Sequence, residues 1–350
     1  LAHLAEHPPN QLHRVPLPPA PGAPPTDPPS DPPPSLTAFV WRTPFHAANL
    51  RLGPLNALAG PLWRRYHRLP LGPVEPLLEK ADLLILESTP GLLLHPRLQT
   101  LNPTARRVYR VSDDLSMLCN HPDVIAAEDC VAQQADLVSV PSRTLRDRFA
   151  HRPGVHVQLQ PHGLATDLFD QSHDNPYLNA DLQRFEKHAV WVGNCMFDRD
   201  ALAAAADAAP SCAFHVIGPP DALGPLPDRP NILGRGEMPF PDTVPYLQHA
   251  DLGLANRTTP PGAESLSDSL KITQYRYCRL PILLPRQLLP PAGDDTPPPP
   301  GCFPYTPGHP TTIAAAIRAA LTAPRPPRPP IRSWTQLADD LAGPLSAPAT

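Results

Sequence analysis

Proline decides first where this chain can fold. It supplies 56 of the 350 residues, and each one fixes φ and removes a backbone donor. Spread evenly, that content would leave no room for packed elements. The prolines cluster instead, in Pro8 to Pro34, Pro290 to Pro300 and Pro324 to Pro330. These stretches read as extended linkers or surface insertions, closed to helix and central strand. Regular structure is therefore confined to the segments between them.

Between the proline clusters, short apolar runs alternate with helical patterns. Strands are expected at Leu83 to Glu87, Arg107 to Val111, Leu137 to Val140 and His156 to Gln160, with helices at Pro122 to Gln134 and Ser142 to Phe149. After a polar stretch from Asp167 to His188 the pattern restarts. Strands follow at Ala189 to Val192, Ala213 to Ile217, Ile232 to Leu233, Leu252 to Ala255 and Ile282 to Leu284, with helices near Asp200 to Ala208, Pro241 to Gln248 and Asp268 to Tyr277. Such alternation implies parallel strands joined by right-handed crossovers. The fold class is α/β, with two doubly wound sheets. The expected layout is a proline-rich segment 1–36, a first domain 37–170, a second domain 186–323, and a last helix within 331–345 able to dock on either half.

Composition narrows the function. Hydrophobic residues make up 41% and charged residues 18%, enough apolar content for two cores. A formal net charge of -4 gives no overall attraction to nucleic acid. The six cysteines form no CxxC pair, which speaks against a disulfide framework or a structural zinc and fits a reducing cytoplasm. No run approaches the roughly 20 apolar residues a membrane span needs, and no signal peptide is visible.

In open α/β sheets the ligand lies beyond the carboxyl ends of the strands, so the residues just after each strand carry the argument. Two such rims across a linker would make an interdomain cleft. Ser267-Asp268-Ser269-Leu270-Lys271-Ile272-Thr273-Gln274 reads as a helix start whose free amides, with Lys271 and Gln274 on one side, suit a phosphate; the alternative is an ordinary cap and a solvated lysine. Asp113 and Asp114 end a strand as candidate general bases, or as helix caps. Glu237 suits ribose hydroxyls and Met238 the face of a base, or else they are a solvent-facing acid and a core residue. His162 and Gly163 end the last strand of the first domain, as a donor with an open glycine or as a packed turn. Ser88 and Cys195 occupy the same kind of strand-end position, as does Arg257.

Asp198-Arg199-Asp200 has a DxD form, but Asp198 is a natural N-cap and one carboxylate pair is too few ligands for a cation. GxGxxG and P-loop patterns are absent. The segment Thr37 to Val74 has no acid and carries Arg42, Arg51, Arg64, Arg65 and Arg68 beside Trp41, Trp63 and Tyr66. That composition suits an anionic membrane surface, or a solvated helix face.

Seven runs in order resemble one family: Trp41-Arg42-Thr43-Pro44-Phe45-His46, Ala81-Asp82-Leu83-Leu84-Ile85-Leu86-Glu87-Ser88-Thr89, Tyr109-Arg110-Val111-Ser112-Asp113-Asp114-Leu115, Pro161-His162-Gly163, Phe214-His215-Val216-Ile217-Gly218, Gly236-Glu237-Met238 and Lys271-Ile272-Thr273-Gln274-Tyr275. They look like the membrane-associated GumK glucuronosyltransferases of xanthan synthesis, from about Trp41 to about Ala323. The resemblance implies a GT-B fold and an inverting, metal-independent transfer of glucuronate from UDP-glucuronate to a polyprenyl-diphosphate-linked oligosaccharide. It implies no cofactor and a peripheral position on the cytoplasmic face of the bacterial inner membrane.

By the same resemblance, Asp113 or Asp114 is the base, Glu237 and Met238 contact uridine, and Lys271 and Gln274 lie near the diphosphate. Departures fall at Cys195, where the family has Met, at Arg257, where it has an aromatic nearby, and at Leu164-Ala165-Thr166, where it has an Asp. They leave another UDP-sugar open as donor. The family also has a first strand and helix not found in this chain, so the first domain is expected to be truncated. A non-catalytic nucleotide-binding paralogue is the remaining alternative.

Overall fold

Alternate residues of each central strand of the second half enter two different cores, the signature of a sheet covered on both faces. Ala189 and Trp191 point to one side and Val190 to the other; Leu283 opposes Ile282 and Leu284 in the same way. The computed structural model describes residues 12–14, 36–39, 52–117, 120–259, 262–266, 269–289 and 298–343. The linker reading of 15–34 and 290–297, the basic and aromatic residues from Trp41 to Arg51, and Ser267 with Asp268 lie outside the described residues. The chain divides into two units, one running to Pro161 and including the residues from Thr335, the other His162–Trp334.

The first unit contains β1 (Leu12–Arg14), β2 (Leu36–Ala38), α1 (Gly53–Trp63), α2 (Glu75–Leu78), β3 (Leu83–Glu87), α3 (His95–Leu101), β4 (Arg106–Arg110), α4 (Pro122–Gln134), β5 (Leu137–Val140), α5 (Arg143–Ala150) and β6 (Val157–Leu159). Strands β3-β4-β5-β6 form a parallel four-stranded sheet in sequence order. Helices α4 and α5 supply Val124, Val131, Leu145 and Phe149 to its core. β1 and β2 pair in parallel. The linker assigned to Pro8 to Pro34 therefore contains a short strand, possible because Gln11 to Val15 is free of proline and keeps its donors.

The second unit contains α6 (Thr166–Phe169), β7 (Lys187–Val192), α7 (Arg199–Ala208), β8 (Cys212–Ile217), α8 (Pro220–Leu223), β9 (Ile232–Gly236), α9 (Phe240–His249), β10 (Leu252–Leu254), α10 (Leu270–Tyr277), β11 (Ile282–Pro285), β12 (Cys302–Tyr305) and α11 (Pro310–Thr322). Its parallel sheet has the order β12-β11-β10-β7-β8-β9, with the switch point at β7 and β10. β12 and α11 were not among the expected elements. A four-residue strand broken by Pro304 carries little periodic signal, but α11 buries Ile313, Ala316, Ile317 and Ala320, a helical spacing visible in the sequence. Its alanines pack closely on those of α7.

The last helix, α12 (Trp334–Ala342), belongs with the first unit. Ala338 and Ala342 pack on Leu83 and Ile85 of β3, and Arg106 donates to the carbonyl of Ala342. Among the described residues no helix is long and apolar enough to cross a membrane.

Candidate active site

Three neighbouring strands of the second unit end in glycine: β7 runs into Gly193, β8 into Gly218 and β9 closes on Gly236. The Gly193 amide donates to Ile217 O at 3.0 Å and the Gly218 amide to Gly236 O at 2.9 Å, so the backbones stay laced past the strand ends. A Cβ on Gly218 would run into the carbonyl oxygen of Gly193. Gly236 has φ 73°, a left-handed turn that favours glycine. The result is a rim of bare backbone at the carboxyl edge of the sheet, where a ligand can approach the peptide groups.

Lys271 reaches this rim from the first turn of α10. Its Nζ lies 3.6 Å from the centre of the Trp191 ring, and a Cβ on Gly193 would stand 3.0 Å from it. No carboxylate of the described residues lies within ion-pair distance of it. Lys271 keeps some surface as a residue, yet burial lowers its pKa well below the lysine range, the charge of Arg257 lowers it further, and Cys195 opposes them. A cation enclosed without a counter-charge costs free energy unless an anion completes the site.

Helix α10 strengthens that preference. Ser269 is its N-cap in extended backbone, φ -69° and ψ 148°, but makes no side-chain cap bond. Ser269 thus leaves first-turn amides uncapped, contrary to the ordinary cap weighed from sequence. Gln274 lies on the helix with Lys271 and is buried. Exposed Cys195 and half-buried Arg257 stand on the adjoining loops after β7 and β10. Glu237 is exposed and Met238 half-buried against the core just past β9, two strands along from β7. Asp198 is spent as the N-cap of α7, accepting from the Ala201 amide at 2.9 Å.

In the first unit, structure separates the two adjacent acids. Asp114 is buried, accepts the Ser116 amide at 3.0 Å and hydroxyl at 2.5 Å, and pairs with Arg148 at 2.9 Å. Arg148 also holds Glu128 at 2.7 Å, and Glu128 accepts from the Tyr109 hydroxyl at 2.6 Å. With its proton committed there, Tyr109 accepts from Ser88, whose Oγ in turn receives the Ser112 amide. Burial pushes the Glu128 carboxyl up, while Tyr109 and Arg148 pull it down. This chain of bonds pins the Ser112 to Asp114 turn from behind and leaves Asp113 exposed on it.

Two sequence candidates change character. Ser88 is buried and serves the turn through Tyr109 and Ser112. Gly163 is buried because the chain itself crosses it: a Cβ there would meet Trp334 Cα at 2.9 Å. The open glycine expected for a ligand is thus filled by Trp334, whose amide donates to Leu164 O at 3.0 Å. His162 beside it, half-buried, belongs to the second unit. The sequence reading missed Trp191, the platform under Lys271, whose only signal was a large aromatic two residues before Gly193. It also missed Arg148 and Glu128, which only tertiary packing brings to Asp114.

Two parallel α/β sheets of four and six strands define a glycosyltransferase of the GT-B class. The fold matches the E. coli trehalose-6-phosphate structure bound with UDP-2-fluoro glucose, at TM-score 0.59 and 14% identity over 88% of this chain and 83% of that one. It also matches Anabaena Alr3699/HepE in complex with UDP and glucose, at TM-score 0.56 and 15% identity over 89% and 80% of the two chains. Residues 30–141 match the N-terminal domain of glucuronosyltransferase GumK. The UDP-glucuronate:glycolipid 2-beta-glucuronosyltransferase of Xanthomonas campestris pv. campestris is 30% identical over 316 residues, 89% of this chain and 74% of that protein. The chain belongs to the GumK glucuronosyltransferase family.

Proposed function

We propose that the protein transfers glucuronate from UDP-glucuronate to a hydroxyl of a lipid-linked oligosaccharide during exopolysaccharide assembly, inverting the anomeric centre without a metal ion. The observation that carries this reading is the enclosed ammonium of Lys271, set on Trp191 at a glycine rim with no carboxylate partner among the described residues. The donor named for the Xanthomonas relative has the diphosphate such a site lacks.

In this reading the diphosphate sits against the first turn of α10 and Lys271, with Gln274 as a further donor. Glu237 takes the ribose hydroxyls and Met238 the uracil face. Asp113 removes the proton from the acceptor hydroxyl, whose oxygen forms the new bond to the anomeric carbon as the bond to the diphosphate breaks. Electrons pass to the departing UDP, where Lys271 and the helix amides stabilise the growing charge. Asp114 is held by Arg148 and Ser116, which supports Asp113 as the base.

The acceptor lipid calls for a membrane surface. Leu52, Leu55, Leu58 and Leu62 are exposed along α1, and Arg64, Arg65 and Arg68 follow at its end. An apolar stripe with adjacent basic residues supports a peripheral position on an anionic bilayer.

The test is UDP release with a panel of UDP-sugars and lipid extract, in EDTA. UDP-glucuronate should support turnover. Asp113→Asn should lose about 100- to 10,000-fold in rate with UDP affinity kept, whereas Asp114→Asn should lower thermal stability. Release from no UDP-sugar would defeat the enzymatic reading, and full activity of Asp113→Asn would defeat the choice of base.

A further inference from the structure

A second cation at the donor rim has a different chemistry from Lys271 and a more elaborate support. Arg257 lies in the loop after β10, and that loop is fastened to the loop after β7 on both sides of it. Phe197 and Arg257 form an antiparallel bridge, and the Thr258 amide donates to Met196 O at 2.8 Å. Asn256 donates to Asp198 O at 2.7 Å and accepts from the Trp191 indole at 3.3 Å. The guanidinium Nη2 lies 2.9 Å from Met196 Sδ.

Met196 itself has φ 54°, a left-handed conformation that a non-glycine residue adopts at a cost of order 1–2 kcal/mol. The loop thus holds strain in the residue that Arg257 touches, a feature that clusters at ligand sites. Arg257 also stands near enough to Lys271 to disfavour its charge. Two like charges gathered at one rim are stabilised by a ligand with more than one anionic centre.

The two cations fit different anions. An ammonium is a compact point charge suited to a phosphate oxygen, and Lys271 shares its position with the start of α10. A guanidinium is a planar fork that matches a carboxylate through two parallel hydrogen bonds. UDP and UDP-glucose offer only the diphosphate, whereas a uronate donor adds a carboxylate on the sugar.

We propose that Arg257 is the specificity-determining residue of the donor site, reading the carboxylate of a UDP-uronate sugar while Lys271 and α10 hold the diphosphate. This rests on the donor reading above and adds the residue that selects the sugar.

Calorimetric titration of the full chain and its Arg257→Gln and Arg257→Lys variants with UDP, UDP-glucose and UDP-glucuronate separates the possibilities. The wild type should prefer UDP-glucuronate to UDP-glucose. Arg257→Gln should lose about 10- to 100-fold for UDP-glucuronate alone, with UDP and UDP-glucose within about twofold of wild type. Arg257→Lys should fall between, because it keeps the charge and loses the fork. Retained UDP binding is the check that the variants fold. Equal loss for all three ligands would make Arg257 a diphosphate ligand and overturn the proposal, as would unchanged selectivity. If wild type bound none of the three, the donor reading itself would fall, and the proposal with it.

Discussion

Replacing Lys271 with Met should make the second unit more stable and its nucleotide affinity weaker. Enclosing an ammonium costs several kcal/mol even after relaxation. Here the compensation is the contact with Trp191 at 3.6 Å, with no carboxylate partner among the described residues and Arg257 adding repulsion. A desolvated cation over an aromatic ring returns about 2 kcal/mol. Met is unbranched like Lys, fills the same channel and packs well on an indole. The net gain should be about 0.5–2 kcal/mol, or roughly 2–4 °C in Tm per kcal/mol for a unit of this size.

The same change removes a charged bond to the diphosphate, worth about 1.5–3 kcal/mol, so UDP affinity should fall about 10- to 150-fold. Folded Lys271 releases its proton at lower pH than the unfolded chain does, so wild-type stability climbs with pH above its folded pKa. The gap to the variant should therefore narrow as pH rises toward the ordinary lysine value of 10.5. Thermal melts across alkaline pH and titration with UDP measure both quantities. A variant with lower Tm and unchanged UDP affinity would refute the reasoning and make Lys271 a packing residue.

Acid should weaken the second unit through His215, which is fully buried, accepts from Arg235 at Nδ1 and lies 3.1 Å from His188. Burial, then the charge of Arg235, pushes its pKa down to about 3 from 6.5. The unfolded chain binds this proton below pH 6.5 while the folded one resists, so stability is lost as pH falls, by about 2 kcal/mol at pH 5. His215→Gln should flatten the dependence of Tm on pH; identical slopes would count against it. Gly218→Ala should cost more stability than Gly236→Ala, because the first meets the Gly193 carbonyl whereas the second has open space and pays about 1–2 kcal/mol for its positive φ; chemical denaturation ranks them. Leu58→Gln on α1 should reduce binding to anionic vesicles without moving Tm, since Leu58 is 79% exposed; unaltered vesicle binding would argue against the membrane face.

By itself the sequence determined the alternation of parallel strands and helices, because apolar runs such as Leu137 to Val140 and Ala213 to Ile217 suit only strands buried on both faces. It also marked the helix start at Lys271 and the acids at Asp113 and Asp114, since strand ends are where such sheets bind. Which acid is spent on structure was decided by folding, which brings Arg148 of α5 and Glu128 of α4 to Asp114 from far along the chain. Tertiary structure likewise set Trp191 beneath Lys271, Trp334 against Gly163 and α12 on β3. None of these follows from local periodicity, because a side chain's charge state and neighbours depend on what distant segments pack against it.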